Sequence, residues 1–262
     1  MSDVMRLETR ALSNADALGY LGQSAIAEAA GAHHRYLIIG GHMVRLHLLA
    51  HPTPQAVPRS TLDADTAVPD VEVVGALMAD LINQGFTPVK GNVLIKKVDA
   101  DREIEINVLL PRADHTQGIR AQDVPEVGQV DTLSELTFAL AGPAVELEMI
   151  VHMQDERVLR YRTRIPSLEA AVVLKAHSWK ARGRRSERDL ADLHTLFEIR
   201  EAHPDIPWRL SEAPLRGRRR DCAVILHDLA ERMGRSSSVM PVPTHLSRPR
   251  MAALIRKHIA RP

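Results

Sequence analysis

The sequence predicts an α+β chain up to about residue 165 and a helical region beyond it. Two observations carry this. Before Pro166, short alternating apolar and polar runs bounded by Pro, Gly and Asp interleave with stretches of helical period. After Pro166 the strand signals cease, and the chain reads as helices joined by loops. The expected domains are therefore 1–165 (α+β) and 166–262 (helical).

Residues 14–30 form the first expected helix, rich in Ala and Leu, with Asn14 as N-cap and Gly31 just past its end. Tyr36-Leu37-Ile38-Ile39 reads as a short buried strand running into Gly40-Gly41. A helix from His42 to His51, with Val44 and Leu48 on one side, stops at Pro52 and Pro54. Residues 59–68 are the next expected strand, and Pro69-Asp70 open a helix that carries Val71, Val74, Leu77, Met78 and Leu81 to Gly85. Residues 92–98 and 103–110 read as strands joined by a turn at Asp99-Ala100-Asp101. In the second, Ile104, Ile106 and Val108 face one way and Glu103, Glu105 and Asn107 the other. Further extended stretches follow, notably 145–150 and 158–165, and then helices over 167–181, 186–202, 219–233 and 248–259, with loops at 211–217 and 236–243.

With 262 residues, 45% hydrophobic and 26% charged, the chain has a globular composition. Aromatics make up 3%, so the core must be aliphatic, which weakens any reading built on base stacking. The lone Cys222 excludes an internal disulfide and a Cys-rich zinc site, and is expected in a helix core. No apolar run reaches the length of a membrane span, and a cytoplasmic location is expected.

The chemistry concentrates at Asp63-Ala64-Asp65. On a strand, two carboxylates two residues apart share a face, with α-carbons roughly 6.5–7 Å apart, and can converge on a hard divalent cation. The bland alternative is the polar face of an edge strand, although Asp is depleted in strands. Upstream, Gly40-Gly41 allow close approach of a ligand to backbone, and the helix behind them offers free N–H groups that suit phosphate oxygens. Glu105 and Asn107 supply a third polar position. Together these describe metal-assisted nucleotidyl transfer.

In this order the motifs resemble the nucleotidyltransferases of the polymerase-β superfamily, and in particular the AbiEii-type toxin branch. The matching segments are Leu37-Ile38-Ile39-Gly40-Gly41, Arg59-Ser60-Thr61-Leu62-Asp63-Ala64-Asp65, Ile104 to Pro111, Val173-Leu174-Lys175-Ala176-His177 and Arg188 to Leu193, within residues 35–200. The resemblance implies a nucleotidyltransferase fold, a mixed sheet with flanking helices, followed by the helical domain. It implies Gly40 and Gly41 at the triphosphate, Asp63 and Asp65 as Mg²⁺ ligands, and Lys175 and Asp189 on helices at the nucleotide, with Lys175 toward its phosphates. Arg59 serves as a phosphate contact or an anchor for the aspartates. It further implies an NTP substrate, tRNA or other RNA as acceptor, a toxin-like role with a cognate antitoxin as partner, and no membrane. The chain departs from the pattern twice. Gly41 stands where many members have Ser, and the third carboxylate aligns with Asn107, which cannot act as a base. Glu105, one pleat away, is the alternative, and the sequence leaves both open.

Other features receive plainer readings. His47 and His51 lack the Glu of a His-Glu-x-x-His motif and are expected to be packing or surface residues, as His33-His34 are expected in a loop. Asp192 is expected to be structural. The arginine clusters 182–185 and 216–220 are either solvated faces or a footprint for RNA phosphates. Two rivals remain: transfer to a small cationic acceptor such as an aminoglycoside, and an NTP-binding module silenced by Asn107. A basic nucleic-acid-binding protein without chemistry leaves the Gly-Gly and Asp-x-Asp order unexplained.

Overall fold

The computed structural model describes residues 4–31, 35–114, 118–235 and 240–262; His33-His34 and most of the Ser-rich start of the 236–243 loop lie outside them. The chain is α+β and divides into two compact units. One comprises Met1–Ala50 and Arg59–Ser167, the other His51–Pro58 and Leu168–Pro262.

The first unit contains β1 (Met5–Arg10), α1 (Asn14–Ala30), β2 (Leu37–Ile38), α2 (Gly40–Ala50), β3 (Ala64–Ala67), α3 (Val71–Asn83), β4 (Thr87–Lys90), β5 (Val93–Lys97), β6 (Glu103–Pro111), β7 (Arg120–Val124), β8 (Gly128–Leu133), α4 (Leu136–Ala141), β9 (Ala144–His152) and β10 (Val158–Pro166). One sheet runs β2-β3-β6-β5-β4, with β8 beside β6 and β7 beside β8. It is mixed: β3–β6 and β6–β8 are parallel, whereas β2–β3, β5–β6, β4–β5 and β7–β8 are antiparallel. A second sheet, β1-β9-β10, pairs β1 with β9 in parallel and β10 with β9 antiparallel.

Local chemistry explains the boundaries. Ser13, not Asn14, caps α1, its hydroxyl accepting the Asp16 N–H at 3.1 Å, so Asn14 becomes the first helical residue. Asp70 caps α3 in the same way through Val73 N–H, and the expected stripe Val74, Leu77, Met78 and Leu81 is the buried face, while Val71 in the first turn is exposed. β6 alternates as expected, with Ile104, Ile106 and Val108 buried and Glu105 and Asn107 half-exposed. The strand expected over 59–68 is shorter, Ala64–Ala67, and the stretch Arg59–Asp63 before it belongs to no ladder. Helix α2 starts at the glycines themselves, two residues earlier than expected. Strands β1, β4, β7 and β8 were not anticipated. β4 is exposed throughout and β7 at all but Val124, so neither shows the alternation that marks a half-buried strand.

The second unit contains α5 (Leu168–Ala181), α6 (Glu187–Ala202), α7 (Gly217–Gly234) and α8 (Arg248–His258). Ser186 and Ser247 cap α6 and α8 by accepting the Asp189 and Arg250 N–H groups. Its core includes fully buried Trp179 and Phe197, each worth roughly 1.5–3 kcal/mol relative to exposure, and Phe197 meets Trp208 edge-on at 6.5 Å between ring centroids. Cys222 is fully buried in α7, where burial pushes its thiol pKa well up and makes it inert. Among the described residues no helix is long and apolar enough to cross a membrane.

Candidate active site

The site is built where β2 turns into α2. Strand β2 pairs with β3 through Leu37↔Ala67 and Ile38↔Thr66, and Ile39 N–H donates to the Asp65 carbonyl at 3.0 Å. That backbone bond carries the chain directly over Asp65. Gly40 follows with φ +68°, a conformation that L side chains rarely adopt, and a Cβ there would lie 2.1 Å from Asp65 Oδ2. Only glycine lets the carboxylate come this close to the start of the helix. At Gly41 a Cβ would meet Arg59 Nη2 at 2.8 Å and Thr61 Cγ2 at 3.1 Å, so the guanidinium lies against the same turn. A helix N-terminus and a guanidinium at one turn form a corner suited to anionic oxygens.

Asp63 and Asp65 are both half-buried. The Thr61 hydroxyl donates to Asp63 Oδ1 at 3.0 Å. Parallel pairing of β3 with β6 sets Asp65 opposite Asn107, and Asn107 Nδ2 donates both to Asp65 Oδ1 and to Glu105 Oε1, each at 3.2 Å. Ionised carboxylates only accept, so two of them dictate which end of the amide faces them. The structure therefore gathers Gly40, Gly41, Arg59, Asp63, Asp65, Glu105 and Asn107 in one stretch of the first unit.

Among the described residues no group of three or more His, Cys, Asp or Glu side chains is arranged to hold a metal. The donors present, Asp63 and Asp65, nevertheless fit Mg²⁺ in its usual protein setting, where one or two carboxylates share a hydrated ion with substrate phosphates. The Gly40–Asp65 approach adds a cradle that a Cβ would fill.

Behind this corner lies a layer that the sequence did not reveal. His42, in the first turn of α2, is 1% exposed, with Nδ1 2.8 Å from Gln23 Nε2, and Gln23 Oε1 accepts the Tyr161 hydroxyl at 3.2 Å. Because Gln23 Nε2 is a donor, His42 Nδ1 accepts and the ring proton sits on Nε2, which has no hydrogen-bond partner. Burial pushes the imidazole pKa down to about 4, helped by the Arg45 guanidinium, so His42 is neutral at pH 7. Its ring edge fills the space of a missing Cβ at Gly19, 2.1 Å from Cε1, and the Thr61 carbonyl lies 2.9 Å from the same point. Nearby, Arg45 bridges Asp16 at 2.5 Å and Tyr20 at 2.9 Å. Burial acts to raise the Asp16 pKa, but the Ser60 hydroxyl and Arg45 outweigh it and hold the carboxyl low, which fixes the loop at Ser60. The sequence signal was the small residue at Gly19 in an otherwise good helix, legible only once the partner is known.

Lys175 and Asp189 lie in the second unit, in a buried cluster. Lys175 Nζ is 2.6 Å from Asp192 Oδ2 and 3.8 Å from Asp189 Oδ1, and Ser178 and Arg182 also donate to Asp189. All three charged side chains are under 10% exposed, with Asp189 at 0%. Four of the seven arginines of the two clusters are similarly occupied: Arg182 with Asp189, Arg184 with Asp228, Arg218 with Asp221 and Arg219 with Glu169. Arg185, Arg216 and Arg220 are exposed. His47 and His51 form no metal pair. His47 Nε2 lies 3.0 Å from the Pro166 carbonyl oxygen, and the His51 ring lies 5.3 Å from that of His203.

No protein-family model matches the chain, and no curated protein matches it. Among solved structures it is similar to an antigenic nucleotidyltransferase-like protein from Paracoccidioides brasiliensis, at 14% identity over 94% of this chain and 95% of that one, with a TM-score of 0.49.

Proposed function

We propose that the chain is a nucleotidyltransferase that moves a nucleotidyl group from an NTP to an acceptor hydroxyl, with RNA, tRNA foremost, as acceptor. The observation that carries this reading is the approach of Asp65 to the Gly40-Gly41 turn, with Arg59 against the same turn. Triphosphate oxygens are received by the α2 N-terminus and Arg59, while Asp63 and Asp65 face the cation that such a substrate brings. Mg²⁺, when bound, neutralises phosphate charge at the reacting centre. Glu105, held by Asn107, takes the acceptor's proton as its oxygen bonds to the α-phosphorus and pyrophosphate leaves. Thr61 and Asn107 orient the two aspartates through neutral hydrogen bonds. Lys175 and Asp189 are left to the second unit's ion-pair cluster. The motif resemblance supports an AbiEii-type, toxin-like role in the cytoplasm with a cognate antitoxin, and Arg185, Arg216 and Arg220 are the exposed arginines left to meet RNA phosphates.

The neutral Asn107 favours one second reading, an NTP-binding module without turnover. The deciding experiment incubates purified protein with Mg²⁺, each α-labelled NTP and total cellular RNA, beside Asp63→Ala/Asp65→Ala. Label in RNA with the native protein alone is expected. Label only in an added aminoglycoside moves the acceptor to small molecules, and NTP binding with no transfer to either supports the silent module.

A further inference from the structure

We propose that the Asn107 amide stands in for a second divalent cation, so that the site takes one such ion per bound nucleotide. This rests on the nucleotidyl-transfer reading above and specifies the metal chemistry of the same site.

Strand register places position 107 directly beside Asp65, where a carboxylate would complete a set able to bridge two cations about 3.5–4 Å apart. The residue present is an amide whose two N–H bonds are directed at Asp65 Oδ1 and Glu105 Oε1. A bridging ion, at roughly 2.0–2.1 Å for Mg²⁺, would have to share those same oxygens with the amide hydrogens that they accept. The amide's positive end faces both carboxylates, so the pair is held together without a metal. Its carbonyl oxygen, the only atom of Asn that ligates a hard cation, is by the same bonds turned away from them. Asp63 and Asp65 carry two negative charges, which match one dication shared with phosphates. An aspartate at position 107 would place three carboxylates together, a repulsion that a second cation relieves.

The test counts Mn²⁺ ions by paramagnetic resonance of the free ion, with calorimetry as a second readout. The intact chain is saturated in turn with the α,β-imido analogues of ATP, GTP, CTP and UTP, so that no turnover is involved. One Mn²⁺ per chain is expected for the native protein and two for Asn107→Asp, with nucleotide-dependent binding weakened at least tenfold in Asp63→Ala/Asp65→Ala. Two ions in the native protein overturn the inference and leave the nucleotidyl-transfer reading standing, as does a count of one in a folded Asn107→Asp. Should Asn107→Asp not fold, the native count still decides. If the native protein binds no Mn²⁺ with any analogue, or binds it equally well without Asp63 and Asp65, the underlying reading fails and the inference with it.

Discussion

Two acidic pairs in this chain look alike in sequence and are treated oppositely by the fold. Asp189 and Asp192 are buried, and cations answer them: Lys175 at 2.6 Å from Asp192 and Arg182 at 3.2 Å from Asp189. Asp63 and Asp65 are half-exposed: a threonine hydroxyl donates to the first at 3.0 Å, and an asparagine amide donates to the second at 3.2 Å at a turn that Arg59 also lines. A buried carboxylate needs a counter-charge to exist as an anion at all. Asp63, oriented by a neutral hydroxyl and half-exposed, is placed to meet a charge that arrives from solution. An Asp-x-Asp or Asp-x-x-Asp spacing locates an acid pair, while burial and the partners that the fold brings to it differ between the two and follow from packing.

The sharpest way to break this comparison is Lys175→Met. If the cluster is scaffold, leaving Asp189 and Asp192 buried without the lysine costs about 3–5 kcal/mol, read by urea unfolding. An unfolding midpoint like that of the native chain would mean that the fold does not need the lysine and would favour a role for Lys175 in ligand contact. Next comes His42, whose folded pKa of about 4 lies below the ordinary 6.5. Above pH 6.5 both folded and unfolded states hold it neutral and the fold keeps its full stability. As pH falls from 6.5 to 4 the unfolded chain takes up a proton that the fold refuses, and about 3 kcal/mol is lost. The stability gap between the native chain and His42→Asn should narrow over that window, and a constant gap would contradict the neutral, acceptor-Nδ1 assignment. Gly40→Ala is expected to cost about 2 kcal/mol, from the positive φ and the displaced Asp65 carboxylate, and to weaken nucleotide binding more than it lowers the melting temperature. The smallest effect is the most telling. Asp63→Asn should leave stability within about 0.5 kcal/mol while weakening nucleotide-dependent Mn²⁺ binding severalfold, because the Thr61 hydroxyl can donate to an amide oxygen as well as to the carboxylate.

Much of this corner was legible beforehand because its signals are local. Glycines before a helix, Asp-x-Asp after a proline-rich loop, and the 2-residue alternation of Ile104, Ile106 and Val108 are set by neighbours in sequence. What was illegible depends on distant partners. His42 has meaning only through Gln23 and Tyr161, which lie on α1 and β10. β1 is a strand because β9 pairs with it, since its own sequence, MRLETR, buries only Leu7. The strand expected at 59–68 is shorter for the same reason: only Ala64–Ala67 find ladder partners, four residues on β6 and two on β2. Lys175 reads as one lysine in an apolar helix, and its neutralisation by a carboxylate 17 positions later follows from helix packing, not spacing.

The short passage His51–Pro58 belongs with the helical unit although it lies between α2 and β3, the two elements that carry the glycines and Asp65. Within that unit Thr53 is buried and the Pro52 carbonyl lies 3.2 Å from His203 Nε2. The chain therefore passes between the units not once but three times, at Ala50, Pro58 and Ser167. A single proteolytic nick after Ser167 would leave the halves laced together by this loop, and a gene truncated there would encode a sheet in which the connection between two site-bearing elements includes eight residues, His51–Pro58, stripped of their own packing partners. Dissecting the protein into independently expressed halves requires replacing that lace as well as cutting the chain.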